Sequence, residues 1–321
     1  NVQLLSDDEL TIQTEKAVYV VDQYSGGFKS IILENYLSDD QQSKMNLIDS
    51  SLLIGGTSYN SAPKRDGHAF EAQKISPNSI KLQKQEGPWL IAHTITIDPN
   101  SSYGANIDFT WTNQSTTPVE LRSNVFFQEK IKLYEPQNSF LPGVPTIRQT
   151  LVNEVNDKTE WSDLKPYCED HSKQNALASG LNSSVKYLGY DNHYFLKVFL
   201  PQAKQSTFAM GKQADNTPGQ CKIYIKNSLD QGFIAPNESV SFKFNAWFGP
   251  KSNDLLTTYN PTLSSTIDLG FFAQISKALL AAIKYIYSLI GNWGLAIILF
   301  TILLKILFYP LTKIVLFLCI E

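Results

Sequence analysis

Ile107-Asp108-Phe109-Thr110-Trp111-Thr112 is the stretch on which the fold turns. Every second residue is large and apolar, and the residues between are short and polar. A β-strand sends successive side chains to opposite faces, so this alternation places 107, 109 and 111 toward a core and 108, 110 and 112 toward water. The same period continues on both sides. Downstream, Val119, Leu121, Ser123, Val125 and Phe127 keep it. Upstream, Trp89 to Ile97 follows a Gly87-Pro88 turn, and Ile80-Lys81-Leu82-Gln83 alternates before it. Further out, Leu10 to Thr14, Ala17 to Val21 and Phe28 to Tyr36 flank a Ser25-Gly26-Gly27 turn. Tyr194 to Leu200, Thr207 to Met210, Lys222 to Lys226 and Val240 to Phe248 complete the series. Short alternating runs cut by Gly, Pro, Asn and Asp indicate antiparallel sheet, and so many of them predict a mainly β fold, a large sandwich. Trp161 to Leu164, set among polar residues, reads as a loop or a short helical excursion.

The period changes near Phe271. Gln274, Lys277, Ala281, Lys284 and Ser288 recur at spacings of three and four as one narrow polar or small stripe, with Ile, Leu, Phe and Tyr around the rest. Such a helix, over 269–291, suits a bilayer surface, with Lys277 and Lys284 on its thin polar face. Gly291-Asn292 ends it, and Trp293 is expected at the headgroup level. From Gly294 to Ile320 the chain is almost wholly apolar and exceeds the roughly 20 residues that a membrane crossing needs. The expected organisation is therefore a polar β domain over 1–268, an amphipathic interfacial helix over 269–291 and a transmembrane helix over 292–321.

Bulk properties exclude little else. With 27 Lys and Arg against 30 Asp and Glu the formal charge is -3, so no basic face points to nucleic acid. Cys168 and Cys221 either pair in an oxidising compartment or stand as free thiols, and Cys319 packs in the apolar tail. No CxxC or His/Cys cluster suggests zinc, and neither a metal nor a cofactor is expected. His68, His93, His171 and His193 have no recognisable spacing to acids. His93 reads as a satisfied, half-buried residue and Asp191-Asn192-His193 as a turn, so an enzyme is not expected. The start at Asn1 and the stop after Cys319-Ile320-Glu321 read as a fragment of a longer protein.

Within the apolar tail Lys305 is the sharpest pointer. A charge at that depth costs at least about 2.5–3.5 kcal/mol on insertion scales. It either snorkels to one headgroup layer or faces a wet groove and meets polar groups of a client. Thr301 lies one turn earlier on the same face, which favours the groove. Pro310 is expected to kink the helix or mark its end.

Asn292-Trp293-Gly294, the Ile/Leu run with Thr301 and Lys305, and Tyr309-Pro310-Leu311-Thr312-Lys313 together resemble the second transmembrane helix of the YidC family of bacterial membrane-protein insertases. Val185 to Pro201 is similar to that family's strand pair with a D-x-Y-F element, and Phe248-Gly249-Pro250-Lys251 to its G-P-K turn. Ile267 to Phe271 resembles its D-x-G segment, and Val20 to Tyr36 its opening strands. The resemblance implies a periplasmic β-supersandwich of mutarotase-like architecture, an interfacial helix and the start of a membrane groove in the bacterial inner membrane. It also implies the partners: nascent membrane proteins, the Sec translocon with its accessory subunits, and the lipid bilayer. Lys305 and Thr301 would contact the client; Lys277, Lys284 and Trp293 would seat the interfacial helix. Two departures stand out. The family usually places arginine where Lys305 is, and after Lys313 it continues into a polar cytosolic hairpin, where this chain is apolar and then ends. The competing expectation is a membrane-anchored carbohydrate-binding or mutarotase-like domain.

Overall fold

The computed structural model describes residues 4–38, 41–48, 69–101, 103–132, 150–155, 158–164, 168, 185–192, 194–202, 207–213, 220–267 and 273–318, with side chains near the end of the chain described as far as Tyr309. The chain forms two compact units, Asn1–Thr266 and Ile267–Glu321.

The first unit is mainly β, and every strand pair described is antiparallel. One sheet holds β1 (Thr11–Gln13), β2 (Ala17–Asp22), β3 (Gly27–Leu37) and β4 (Lys44–Asn46) in chain order. A large sheet contains β5 (Glu71–Ser76), β6 (Ser79–Glu86), β7 (Trp89–Ile97), β8 (Gly104–Asn113), β10 (Thr150–Val155), β11 (Lys158–Asp163), β12 (Val185–Asp191), β13 (Phe195–Pro201) and β16 (Ser239–Pro250). Its order is β11-β10-β12-β13-β16-β8-β7-β6-β5. A third sheet has the order β14-β15-β9, from β14 (Thr207–Gln213), β15 (Gln220–Ile234) and β9 (Val119–Lys132).

Alternation decides which residues meet. In β8, Ile107, Phe109 and Trp111 are buried, as period two predicts. The register lines them up with Ile95, His93 and Ile91 of β7, and with Phe244, Phe242 and Val240 of β16. This inner face carries the other two sheets. Phe28 of β3 lies edge-on to Phe248 of β16, with ring centroids 5.3 Å apart. Phe127 of β9 stacks on Phe199 of β13 at 3.5 Å and meets Phe244 edge-on at 5.4 Å. The buried Tyr190 hydroxyl reaches the Phe127 carbonyl at 2.8 Å, tying β12 to β9. The smaller sheets thus form one layer against the large one.

The outer face of the large sheet divides in two. Over β8 and β16 it is polar: Thr110 and Thr112 exchange hydrogen bonds with Ser241 and Ser239, at 2.9 and 2.7 Å. Closer to β13 it is covered by helix α1 (Asn253–Tyr259) and the 3₁₀ segment Pro261–Thr266. There Trp247 packs against Tyr103 and Tyr259, and Leu256 and Leu263 are fully buried. The Tyr259 hydroxyl donates to the Ala246 carbonyl at 3.0 Å.

Two glycines mark required turns. Gly87, at φ +56°, opens the two-residue turn between Glu86 and Trp89, as a hairpin with glycine first demands. Gly26, at φ +70°, closes the turn before β3, and a Cβ there would lie 2.4 Å from His93 Nδ1.

Three sequence expectations are corrected. Trp161 lies in edge strand β11, not in a loop or helical excursion, because its neighbours pair with β10 from Lys158 to Asp163. Phe248-Gly249-Pro250 is not a turn but the last rung of β16, where Pro250 pairs with Phe195. Asp191 is not a turn residue either: it ends β12 and is buried. Of the four histidines, His68, His171 and His193 lie outside the described residues.

Candidate functional site

The second unit is a helical hairpin. Helix α2 runs Ala273–Ile290 and helix α3 runs Trp293–Leu318. Gly291, at φ +70°, ends α2 in the left-handed conformation that glycine adopts without cost, and its N–H donates to the Tyr287 carbonyl at 2.7 Å. Asn292 begins α3 at once: its side-chain oxygen accepts from Leu295 N–H at 3.2 Å, as an N-cap should. Tyr287 and Trp293 stack across the elbow with centroids 4.0 Å apart and planes 12° from parallel. On α3 the least exposed of the described side chains are Ala296, Phe300 and Leu304, one turn apart, and on α2 they are Ile283, Ile286 and Tyr287. These spacings define the seam along which the helices pack.

Among the described side chains, most of the rest of the hairpin is apolar and exposed. Ile275, Leu279, Leu280, Tyr285 and Leu289 of α2 are exposed, and so are Leu295, Ile298, Leu303, Ile306, Leu307 and Phe308 of α3. Exposed apolar surface on this scale marks an interaction with lipid or protein. Among the residues whose side chains are described, which on α3 end at Tyr309, no helix is long and apolar enough to cross a membrane.

Thr301 and Lys305 both lie on α3 and both are exposed, one position beyond the seam residues Phe300 and Leu304 and thus about 100° round the helix from them. The Thr301 hydroxyl donates to the Ile298 carbonyl at 2.7 Å, which leaves its oxygen able to accept. Lys284 is exposed on α2, apart from that pair in sequence and element. Trp293 is half exposed, its ring committed to Tyr287. The side chains of Lys277 and Pro310 lie outside the described residues; the helical backbone continues through Pro310 to Leu318, so the helix does not end there.

The first unit has polar constellations of its own. Lys251 binds Asp191 at 2.8 Å, with their side chains 12% and 5% exposed, and Trp161 Nε1 donates to the same carboxylate oxygen at 3.2 Å. Lys251 N–H also donates to the Tyr194 carbonyl at 2.8 Å. The two short blocks DNHYF and FGPK therefore clamp each other at the ends of β12, β13 and β16. Elsewhere Lys197 joins the layers, 2.5 Å from Glu129 of β9 and 2.9 Å from the Leu47 carbonyl. His93 is 1% exposed, not half-buried, because Phe70 covers it from one side and Phe109 from the other. Its Nδ1 lies 3.0 Å from the Gly26 carbonyl. Burial, with a smaller push from Lys84, lowers the imidazole pKa to about 4, so it is neutral at ordinary pH.

Residues 9–282 match the model of the YidC periplasmic domain. The chain belongs to the YidC family. It is 26% identical over 336 residues to a membrane protein insertase YidC from Methylobacillus flagellatus, spanning 97% of this chain and 56% of that protein. To the YidC of Pelobacter propionicus it is 25% identical over 321 residues, spanning 95% and 55%. The chain thus spans about half the length of these curated relatives. A galactose mutarotase-like protein from Lactobacillus casei aligns over 74% of this chain and 99% of its own, 10% identical with a TM-score of 0.45.

For this YidC chain, sequence reasoning missed the Asp191–Lys251 clamp. The one available signal was that both blocks resembled the family, since the ion pair joins residues 60 apart through strand register.

Proposed function

We propose that this chain is the periplasmic part and the start of the membrane-embedded part of an insertase that places and folds proteins in the bacterial inner membrane. The observation that carries the reading is the hairpin's apolar, uncovered surface, in a chain of the YidC family. In this reading α2 lies on the periplasmic face of the bilayer, with Lys277, Lys284 and Trp293 at headgroup depth. Helix α3, at 26 residues and a rise of about 39 Å, exceeds the roughly 30 Å hydrocarbon layer and crosses it. Residues 1–268 then stand in the periplasm as a β-supersandwich of mutarotase-like architecture.

The chemistry is physical rather than covalent. A polar segment entering hydrocarbon loses its water, at several kcal/mol for each group left unpaired. Thr301 and Lys305, adjacent on one stripe, would offer a hydroxyl and a charge to that segment while its apolar part slides into lipid. Lysine supplies a compact point charge where arginine would supply a planar fork, so it favours acidic groups without fixing their geometry. No cofactor or metal takes part. Against an enzymatic role stands His93, walled in by Phe70 and Phe109 and held on the Gly26 carbonyl, out of reach of a substrate. The Sec translocon and its accessory subunits are the proposed partners of the periplasmic part.

The test is site-specific photo-crosslinking to a stalled nascent membrane protein, with the probe at 301, 305, 299 or 303. Probes at 301 and 305 are expected to capture the client, and those at 299 and 303, on the opposite side of α3, to capture lipid. Equal capture from all four positions removes the assigned stripe. In cells depleted of their own insertase, Lys305→Arg should retain function and Lys305→Leu should lose it.

A further inference from the structure

One covalent bond joins the chain that follows the large sheet to the three-stranded sheet. Cys168 and Cys221 form a disulfide, their Cα atoms 5.9 Å apart and 53 residues apart in the chain. Cys221 opens β15, where it pairs with Ile131 of β9, and it is buried. Cys168, also buried, follows β11, an outer strand of the large sheet. Two hydrogen bonds hold Cys168 in place: its N–H donates to the Leu164 carbonyl at 3.3 Å, and Lys212 of β14 donates to its own carbonyl at 2.6 Å. The disulfide and the Lys212 bond bring the chain that leaves the large sheet onto the three-stranded one.

The covalent link matters here because, among the described residues, the weak forces between these two sheets lie on strands other than β11. No side chain of β11 is buried, so this edge contributes little hydrophobic attachment. Sheet β14-β15-β9 is held to the large sheet by Tyr190, Phe127 and the Lys197–Glu129 pair, all on strands other than β11. The chain leaving β11 reaches the three-stranded sheet through the disulfide and the Lys212 bond.

We propose that the Cys168–Cys221 bond is an inter-sheet clasp made by an oxidising protein disulfide, and that it marks this unit as one that folds on the oxidising side of the membrane. A thiolate of one cysteine attacks the oxidant's disulfide, forms a mixed disulfide and expels one of the oxidant's sulfurs as a thiolate. The second cysteine, as thiolate, attacks its partner's sulfur in that mixed disulfide and releases the rest of the oxidant as a dithiol. Two electrons pass to the oxidant, and the two protons lost by the cysteines balance those that its sulfurs take up. A disulfide persists outside the reducing cytosol, so the clasp reports compartment. It closes a long loop, and loss of such a bond removes a large constraint on the unfolded chain. The inference rests on the first unit and not on the insertase reading.

The experiment uses the full chain, exported in cells, acid-quenched, denatured and labelled with a maleimide polymer. One label, on Cys319, is expected before reduction and three after; three labels before reduction overturn the clasp. Cells lacking the protein that supplies that oxidising disulfide should yield three labels, and a bond that still forms there overturns the exchange route. In detergent, reduction should lower the melting midpoint of the β unit by about 10 °C. Reduction should leave the Cys168→Ala/Cys221→Ala double variant unchanged at that lower midpoint. A wild-type midpoint indifferent to reduction overturns the structural role, whatever the outcome of the insertase tests.

Discussion

Acid should loosen the first unit through one imidazole. His93 is sealed between Phe70 and Phe109 on the inner face of the large sheet, with Nδ1 on the Gly26 carbonyl. Its pKa falls to about 4 because burial penalises the charged ring, and Lys84 adds repulsion; the Gly26 hydrogen bond opposes both. In the unfolded chain an imidazole titrates near 6.5. As pH falls below about 6.5 the unfolded state therefore binds a proton that the folded state refuses, and stability is lost until the folded pKa is reached. At 1.36 kcal/mol per unit the loss is about 2 kcal/mol by pH 5 and about 3 kcal/mol below pH 4. Against a usual total of about 5–15 kcal/mol this is measurable. The assay is urea unfolding in detergent, followed by the β signal in far-ultraviolet circular dichroism, from pH 7.5 to 4.5. Carboxylates titrate too, so His93→Gln serves as the reference. The variant should start less stable, and its deficit should shrink by about 2 kcal/mol as the pH drops to 5. A wild-type-minus-variant difference that stays flat with pH would refute the argument.

Three further outcomes follow from geometry. Gly26→Ala combines a left-handed backbone with a Cβ 2.4 Å from His93 Nδ1, and should cost about 2–4 kcal/mol in the same unfolding assay. Lys251→Met strands the Asp191 carboxylate in the interior and should cost about 3–5 kcal/mol, most of it recovered by adding Asp191→Asn; no recovery would count against the clamp. Leu303→Lys on α3 places a charge on an exposed apolar position opposite the Thr301 and Lys305 stripe and should weaken flotation with lipid vesicles more than tenfold, at about 2.5–3.5 kcal/mol for a charge in hydrocarbon. Unchanged flotation would mean that this face does not meet lipid.

What could be read in the sequence was set by whether the information was local. Strand β7, Trp89–Ile97, has the bounds expected of it, because alternation and a glycine turn are both written within the eleven residues from Gly87. The helical hairpin is equally local, since a change of period and the Gly291-Asn292 pair suffice to announce it. Edge strands β5 and β11 escaped because their sequences, EAQKIS and KTEWSD, hold too few apolar residues to show a period. Asp191 and Lys251 looked like turn residues because only the β12–β13 and β13–β16 registers together reveal that they meet. The depth of His93 depends on Phe70, which arrives from before β5 and leaves no mark on the strand's own pattern. For the cysteines, the sequence left pairing open and the fold closed it. The stripe of Thr301 and Lys305 was visible from spacing, and what a client does on it is a matter for crosslinking.

The elbow between α2 and α3 is two residues long and fastened by a glycine cap, an asparagine cap and a ring stack. Only two residues lie there to absorb torsion. A segment that rolls α3 must either break those caps and the ring stack or carry α2 with it. A push near Lys305 is then expected to reach α2 through the elbow, and breaking the Tyr287–Trp293 stack should uncouple the two helices.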